Sequence, residues 1–215
     1  MKRDASFFDP AETLYVMKRI PRVFFQELKL MEKGILLDIG CGSGLFLKTL
    51  QSFNLDIIGI DISPRAILLC RELFVGKEKN HHFFQCDICD FDIEDNYYMA
   101  VTAMTSLCAL KRVQMLQQLQ KIKRGLKPGG IIYIEVFTTR DPIYSENDKY
   151  LPPGENTFFF PQWNSFLYFF KPGELLHRFK DYEILDYKEL FTTDYAPVIH
   201  RHHEARLCAR KPELK

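Results

Sequence analysis

A glycine-studded turn, Gly40-Cys41-Gly42-Ser43-Gly44, follows directly on the short apolar run Gly34-Ile35-Leu36-Leu37-Asp38-Ile39. No other feature constrains the fold as much. A short apolar run bounded by glycine suits a strand buried on both faces, the habit of parallel sheets. Glycines at 40, 42 and 44 let the backbone turn tightly and come close to a ligand where a β-carbon would collide. Leu45 to Phe53 then reads as a helix, with Leu47 and Leu50 on one side.

The same alternation continues along the chain. Leu55 to Ile60 is a second apolar strand ending at Asp61. Ser63-Pro64 starts a helix, with serine as N-cap and proline in the first turn, that runs to about Gly76. Phe83 to Cys86 is a short third strand ending at Asp87, and Tyr98 to Met104 is a fourth. Val113, Leu116, Leu119, Ile122 and Leu126 recur at helical spacing. Lys127-Pro128-Gly129-Gly130 is a turn into a fifth strand, Ile131 to Phe137. Such alternation predicts an α/β fold, a doubly wound and mostly parallel sheet with helices on both faces. Pro172 to Phe179 reads as a helix. Tyr182 to Phe191 and Glu204 to Lys211 read as two last strands, an antiparallel hairpin joined through 192–203, which makes seven strands. Residues 1–32 are a helical lead-in broken at Pro21, and 138–170 are irregular. The whole chain, 1–215, is expected to form one domain, with 33–137 as its cofactor half.

In a doubly wound sheet, ligands bind beyond the carboxyl ends of the strands. There lie the glycine turn, Asp61 and Asp87. Asp61 follows Gly44 by 17 residues, where an acidic side chain meets the hydroxyls of an adenosine ribose. The third glycine comes one residue too early for a dinucleotide loop, and no phosphate-binding lysine follows. A ligand with ribose and adenine but no phosphate fits, which points to S-adenosylmethionine.

The run 36–44, Leu-Leu-Asp-Ile-Gly-Cys-Gly-Ser-Gly, resembles the first motif of the class I S-adenosylmethionine-dependent methyltransferases. Gly59-Ile60-Asp61-Ile62-Ser63 and Cys86-Asp87-Ile88 resemble their second and third strand-end motifs, and Lys127-Pro128-Gly129-Gly130 their fourth-helix exit. The resemblance implies a Rossmann-like fold and a methyl-transferring enzyme. It implies that Asp38 orders the loop near the methionine ammonium, and that Gly40, Cys41, Gly42 and Gly44 lie along the methionine and ribose. It implies that Asp61 accepts the ribose hydroxyls, Ile62 packs on adenine, and Asp87 with Ile88 meets the adenine amino group. Met104 and Thr105 would line the methyl-donor pocket. Met99 departs from the pattern, standing where the family usually has aspartate.

The acceptor site falls to the flanks. Residues 158–170 hold eight aromatics, read either as extra core or as a wall over the methyl-donor site. Lys171-Pro172-Gly173-Glu174-Leu175-Leu176 and residues 200–211 are similar to the small tellurite-resistance-type methyltransferases, which implies a small acceptor such as a metalloid oxyanion or small acid, the alternatives being an RNA or protein acceptor or a cofactor-binding module without catalysis. Period-two alternation places Ala205, Leu207 and Ala209 toward the core and His200, His202, Glu204 and Arg206 on the other face. His200, Arg201 and Arg206 are the acceptor-binding candidates, against a solvated charged turn.

Lysine plus arginine total 29 and aspartate plus glutamate 28, so no basic excess marks a nucleic-acid partner, and none is expected. No apolar run is long enough for a membrane span, and Met1-Lys2-Arg3-Asp4 is followed by no signal core, so the expected location is the cytoplasm. The expected state is a monomer or homodimer. Six cysteines read as small core residues. Cys86 and Cys89 have ligand spacing but straddle Asp87 and lack a second pair, so no metal is expected.

Overall fold

The computed structural model describes residues 19–31, 33–77, 79–147, 156–161, 165–194 and 200–213. A short helix α1 (Arg22–Leu30) precedes strand β1 (Gly34–Ile39). Then come α2 (Leu45–Lys48), β2 (Leu55–Asp61), α3 (Pro64–Leu73), β3 (His81–Gln85) and β4 (Tyr98–Met104). After a 3-10 turn at Ser106–Ala109 follow α4 (Arg112–Gly125), β5 (Leu126–Phe137) and α5 (Pro142–Asn147). The chain closes with β6 (Thr157–Phe160), β7 (Ser165–Tyr168), α6 (Glu174–Arg178), β8 (Glu183–Asp194) and β9 (His200–Arg210).

Seven strands form one sheet in the order β3-β2-β1-β4-β5-β9-β8. The first five are parallel, while β9 runs antiparallel to β5 and β8 antiparallel to β9. The mostly parallel, doubly wound, Rossmann-like sheet with an antiparallel end matches the expectation. Successive side chains of a strand point to opposite faces, and the apolar residues divide accordingly. Leu37, Ile132 and Leu207 meet Met115, Leu119 and Ile122 of α4, and on the other face Leu36, Ile131 and Tyr133 meet Phe24 of α1 and Ile67 of α3.

Several elements differ from the sequence reading, each for a local reason. The helix after the glycine turn stops at Lys48 rather than Phe53, because Thr49, Leu50 and Phe53 bond back three residues and tighten the turns. Strand β5 starts at Leu126, since Gly129 and Gly130 pair with Lys211 beyond β9. The stretch 138–170 is not wholly irregular: it contains α5 and the β6–β7 hairpin. Strand β9 starts at His200 and β8 extends to Asp194, so most of the expected 192–203 connection is paired strand. Cys41, Cys70, Cys108 and Cys208 are buried among apolar groups as expected, while Cys86 and Cys89 are partly exposed.

Lys211 locks the closing strand to the helix layer. Its ammonium donates to the carbonyls of Leu126 at 2.5 Å and Lys123 at 2.9 Å, and to Asn96 Oδ1 at 3.2 Å. These carbonyls lie at the open carboxyl end of α4, where a cation also faces the negative pole of the helix. Replacing Lys211 with Met should cost about 1–2 kcal/mol, read as a lower urea midpoint with an unchanged denaturant slope.

Candidate cofactor and acceptor site

The strand order reverses between β1 and β4: from β1 the chain builds outward through β2 and β3, then crosses to β4 on the opposite side. A crevice opens at such a reversal. The glycine turn forms one wall, with Gly40 N and Cys41 N both donating to Ile60 O at 2.8 and 3.0 Å. Gly40 has φ +74, and a β-carbon there would lie 2.5 Å from Ser106 Cβ. Ser106 Oγ in turn donates to Ile39 O at 2.6 Å, so β1 and the turn after β4 close on each other. Gly42 also has positive φ, but a β-carbon there would meet nothing within 4 Å, which marks open space over the loop.

Asp38, two residues before the glycine turn, is 1% exposed. Its Oδ1 accepts from Thr102 Oγ1 at 2.6 Å, while its buried Oδ2 has no partner among the described residues. Burial pushes its carboxyl up to about 7; Thr102 opposes this and Asp61 adds to it. Asp61, at the end of β2, accepts from Gly42 N at 2.9 Å and Ser63 N at 2.8 Å, so it pins the loop and opens α3. Each of its oxygens keeps a further lone pair for a hydroxyl. Ile62 beside it is 67% exposed, an apolar face with no protein cover. Asp87 accepts from Cys89 N at 2.8 Å, and Cys86 N bonds Asp61 O at 3.0 Å, which sets the two acids side by side. Ile88 packs partly on the core. Met104 reaches the α1-side core, and Thr105 takes φ +59 at the end of β4.

The Cys41 side chain is buried 3.9 Å from Cys70 Sγ. The hydrogen bond shared with Cys70 and burial push its thiol far up, as suits a packed thiol.

On the same sheet face, register continues the polar row past Asp38. Thr102 pairs with Tyr133, Met104 with Glu135, and Glu135 with Arg206. Glu135 and Glu204 are buried at 1% and 0% exposure. Arg19 donates to Glu135 and, at 2.6 Å, to Glu204. Arg206 lies 2.7 Å from Glu204 Oε2 and 3.2 Å from Glu135 Oε2, and the Tyr133 hydroxyl is 3.1 Å from both Glu135 Oε2 and Arg19 O. Burial raises the Glu135 carboxyl and Arg19 opposes it. Two cations thus meet two anions.

This corrects the reading of the β9 charged face. His202, Glu204 and Arg206 are buried, so the solvated-turn alternative falls for them, and Arg206 is committed to Glu135 and Glu204 rather than open to an anion. Arg201 is exposed over the Phe191 ring, 4.7 Å from its centroid. The side chain of His200 lies outside the described residues, as do Trp163 and Asn164 of the aromatic run. That run divides: Phe158, Phe160 and Phe169 form their own cluster with Phe137 and Tyr144, Phe170 joins the main core, and Phe159 is exposed. Sequence reading missed Arg19, Glu135 and Asp141. A lone carboxylate within the apolar strand 131–137 was the available signal, since a buried charge needs a partner. Among the described residues no three His, Cys, Asp or Glu side chains converge as a metal site. None of the described helices is long and apolar enough to cross a membrane.

Residues 36–130 match the family described as a methyltransferase domain. The chain is 29% identical over 117 residues to O-methyltransferase 3 of Dictyostelium discoideum, covering 51% of this chain and 27% of that protein. It is 29% identical over 135 residues to a tRNA (carboxymethyluridine(34)-5-O)-methyltransferase of Macaca fascicularis, covering 60% of this chain and 19% of that protein. The chain therefore spans well under a third of the length of these two relatives. In fold it is similar to a SAM-dependent methyltransferase of Methanosarcina mazei (TM-score 0.71, 20% identity, 91% and 99% of the two chains). It is similar also to TehB of Haemophilus influenzae (TM-score 0.68, 22% identity, 89% and 62%). Residues 36–130 thus match a methyltransferase domain, and the chain shares its fold with these solved methyltransferase structures.

The ion cluster should be costly to break. Arg206→Met leaves two buried carboxylates facing one guanidinium, and should lower stability by about 3–5 kcal/mol in guanidinium unfolding.

Proposed function

We propose that the chain, acting as one domain, transfers a methyl group from S-adenosylmethionine to a small-molecule acceptor at the β4–β5–β9 side of the crevice. The observation that carries this is Asp38 Oδ2, a buried carboxylate oxygen without a partner, at the base of a glycine turn with open space above it. An ammonium is the group such an oxygen best receives. When bound, S-adenosylmethionine supplies an electrophilic methyl on a sulfonium. Asp38 holds its ammonium, Gly40, Gly42 and Gly44 line its methionine and ribose, and the Cys41 backbone continues that wall. Asp61 takes the ribose hydroxyls, and Ile62 covers one adenine face. Asp87 and Ile88 meet the adenine edge, and Met104 and Thr105 face the transferred methyl. The protein's part is alignment and exclusion of water.

The tellurite-resistance-type resemblance and the TehB-like fold support a small acceptor. The oxyanion version needs an available cation, and Arg19 and Arg206 are matched by Glu135 and Glu204. A tRNA acceptor is a second reading, favoured by the tRNA-modifying relative. Labelled-methyl transfer to a small-molecule panel and to unfractionated tRNA separates the two. Label in tRNA alone overturns the small-molecule reading, and cofactor binding with label in neither overturns transfer itself.

Two measurements test the cofactor contacts. Asp61→Ala should weaken S-adenosylmethionine binding at least tenfold by calorimetry; unchanged affinity in a folded variant removes Asp61 from the site. Asp38 gives a pH signature. Its ordinary carboxyl ionises near ~4 and its native one at about 7. Between those values the native state holds the extra proton, so this group's contribution to stability falls as pH rises. Cofactor affinity, which needs the carboxylate, should instead rise from pH 6 to pH 8. Asp38→Asn should bind weakly and flatten that rise.

A further inference from the structure

We propose that Cys41 and Cys70 are a redox-sensitive pair at the glycine turn: hydrogen peroxide joins them as a disulfide when the turn holds no cofactor, and the disulfide weakens S-adenosylmethionine binding. The coupling to the cofactor rests on the reading above, while the pairing of the two sulfurs stands without it.

The pair joins two elements. Cys41 belongs to the turn after β1 and Cys70 to α3, 29 residues on, and their sulfurs lie 3.9 Å apart. Cys70 is fully buried and Cys41 is 7% exposed. Cys70 Sγ also donates to Gly42 O at 3.2 Å, so this thiol already holds the turn. Two glycines make room for the sulfurs. A β-carbon on Gly44 would lie 3.0 Å from Cys70 Sγ, and one on Gly59 of β2 would lie 3.0 Å from Cys41 Sγ. Other thiols are engaged differently. Cys108 accepts from Phe137 N at 3.2 Å, Cys86 donates to Asp87 O at 3.1 Å, and Cys89 accepts from Gln114 Nε2 at 3.8 Å.

Bonded sulfurs stand about 2 Å apart, so the two must close roughly half their present gap. Gly42 O then loses its donor, because a disulfide sulfur has no proton to give. At the other side of the same residue, Gly42 N donates to Asp61 Oδ2 at 2.9 Å. A shift of Gly42 is therefore passed to the acid assigned to the ribose hydroxyls.

The cofactor controls the reaction. A thiolate is the reactive form, and burial with the shared hydrogen bond keeps Cys41 protonated. The pair therefore reacts when the turn opens and water reaches Cys41. Its neighbour Gly42 has nothing within 4 Å of where a β-carbon would stand. Bound cofactor lies along the turn and holds it shut. In the first step the Cys41 thiolate attacks one peroxide oxygen and the oxygen–oxygen bond breaks, which gives a sulfenic acid and one water. Cys70, its proton lost to solvent, then attacks the Cys41 sulfur. The sulfur–sulfur bond forms, the sulfur–oxygen bond breaks, and hydroxide leaves as a second water. Two thiols lose two electrons and the peroxide gains them. The coupling is reciprocal: if the disulfide disfavours the cofactor, the cofactor disfavours the disulfide by the same factor.

The test treats the full chain with hydrogen peroxide, with and without S-adenosylhomocysteine, and maps the unreduced peptides by mass spectrometry. A cross-link between Cys41 and Cys70 should form at least ~5-fold faster in the ligand-free protein, and dithiothreitol should reverse it. Oxidation confined to Cys86 and Cys89, or an equal rate with and without bound ligand, overturns the proposal. Calorimetry of the cross-linked protein should show S-adenosylhomocysteine affinity at least ~10-fold lower, restored by dithiothreitol. Unchanged affinity overturns the coupling. Cys70→Ser can still donate to Gly42 O but cannot close the bond. It should bind the ligand within about twofold of the unaltered chain and keep that affinity in peroxide. A loss in peroxide equal to that of the unaltered chain overturns the role of the pair, and Cys70→Ala repeats this arm if the serine variant does not fold. Absence of binding in the reduced, unaltered chain overturns the cofactor reading itself, whereas the cross-link is read from the peptide map independently of any ligand.

Discussion

Everything at this site follows from burying polar groups on one face of a sheet that has apolar helices on both sides. From β1 to β9, that face carries Asp38, Thr102, Tyr133, Glu135, Arg206 and Glu204 near the carboxyl ends of the strands. A buried charge costs several kcal/mol unless paired, so each must be answered. Glu135 and Glu204 are answered by Arg19 and Arg206, and Asp38 only in part, by Thr102. The unanswered oxygen lies where the strand order reverses and the crevice opens.

The parallel half of the fold was legible because its signals are local. Apolar runs ending at Gly40, Asp61 and Asp87, a Ser63-Pro64 helix start and helical spacing from Val113 to Leu126 are each readable within about a dozen residues. Ala66 N does donate to Ser63 Oγ, at 3.3 Å. The acceptor half was less legible because its partners are distant in sequence. Arg19 meets Glu135 and Glu204 across more than a hundred residues, and Asp141 meets His202 across 61. The alternation in β9 was read correctly as two faces. That the charged face is also buried depended on Arg19 and β5, which spacing along β9 cannot reveal.

The aromatic run illustrates the same division. Phe169 and Phe170 are adjacent and both fully buried, yet they join different clusters. Phe170 completes the floor with Tyr168, while Phe169, with Phe137 and Tyr144, forms the apolar wall beside His202.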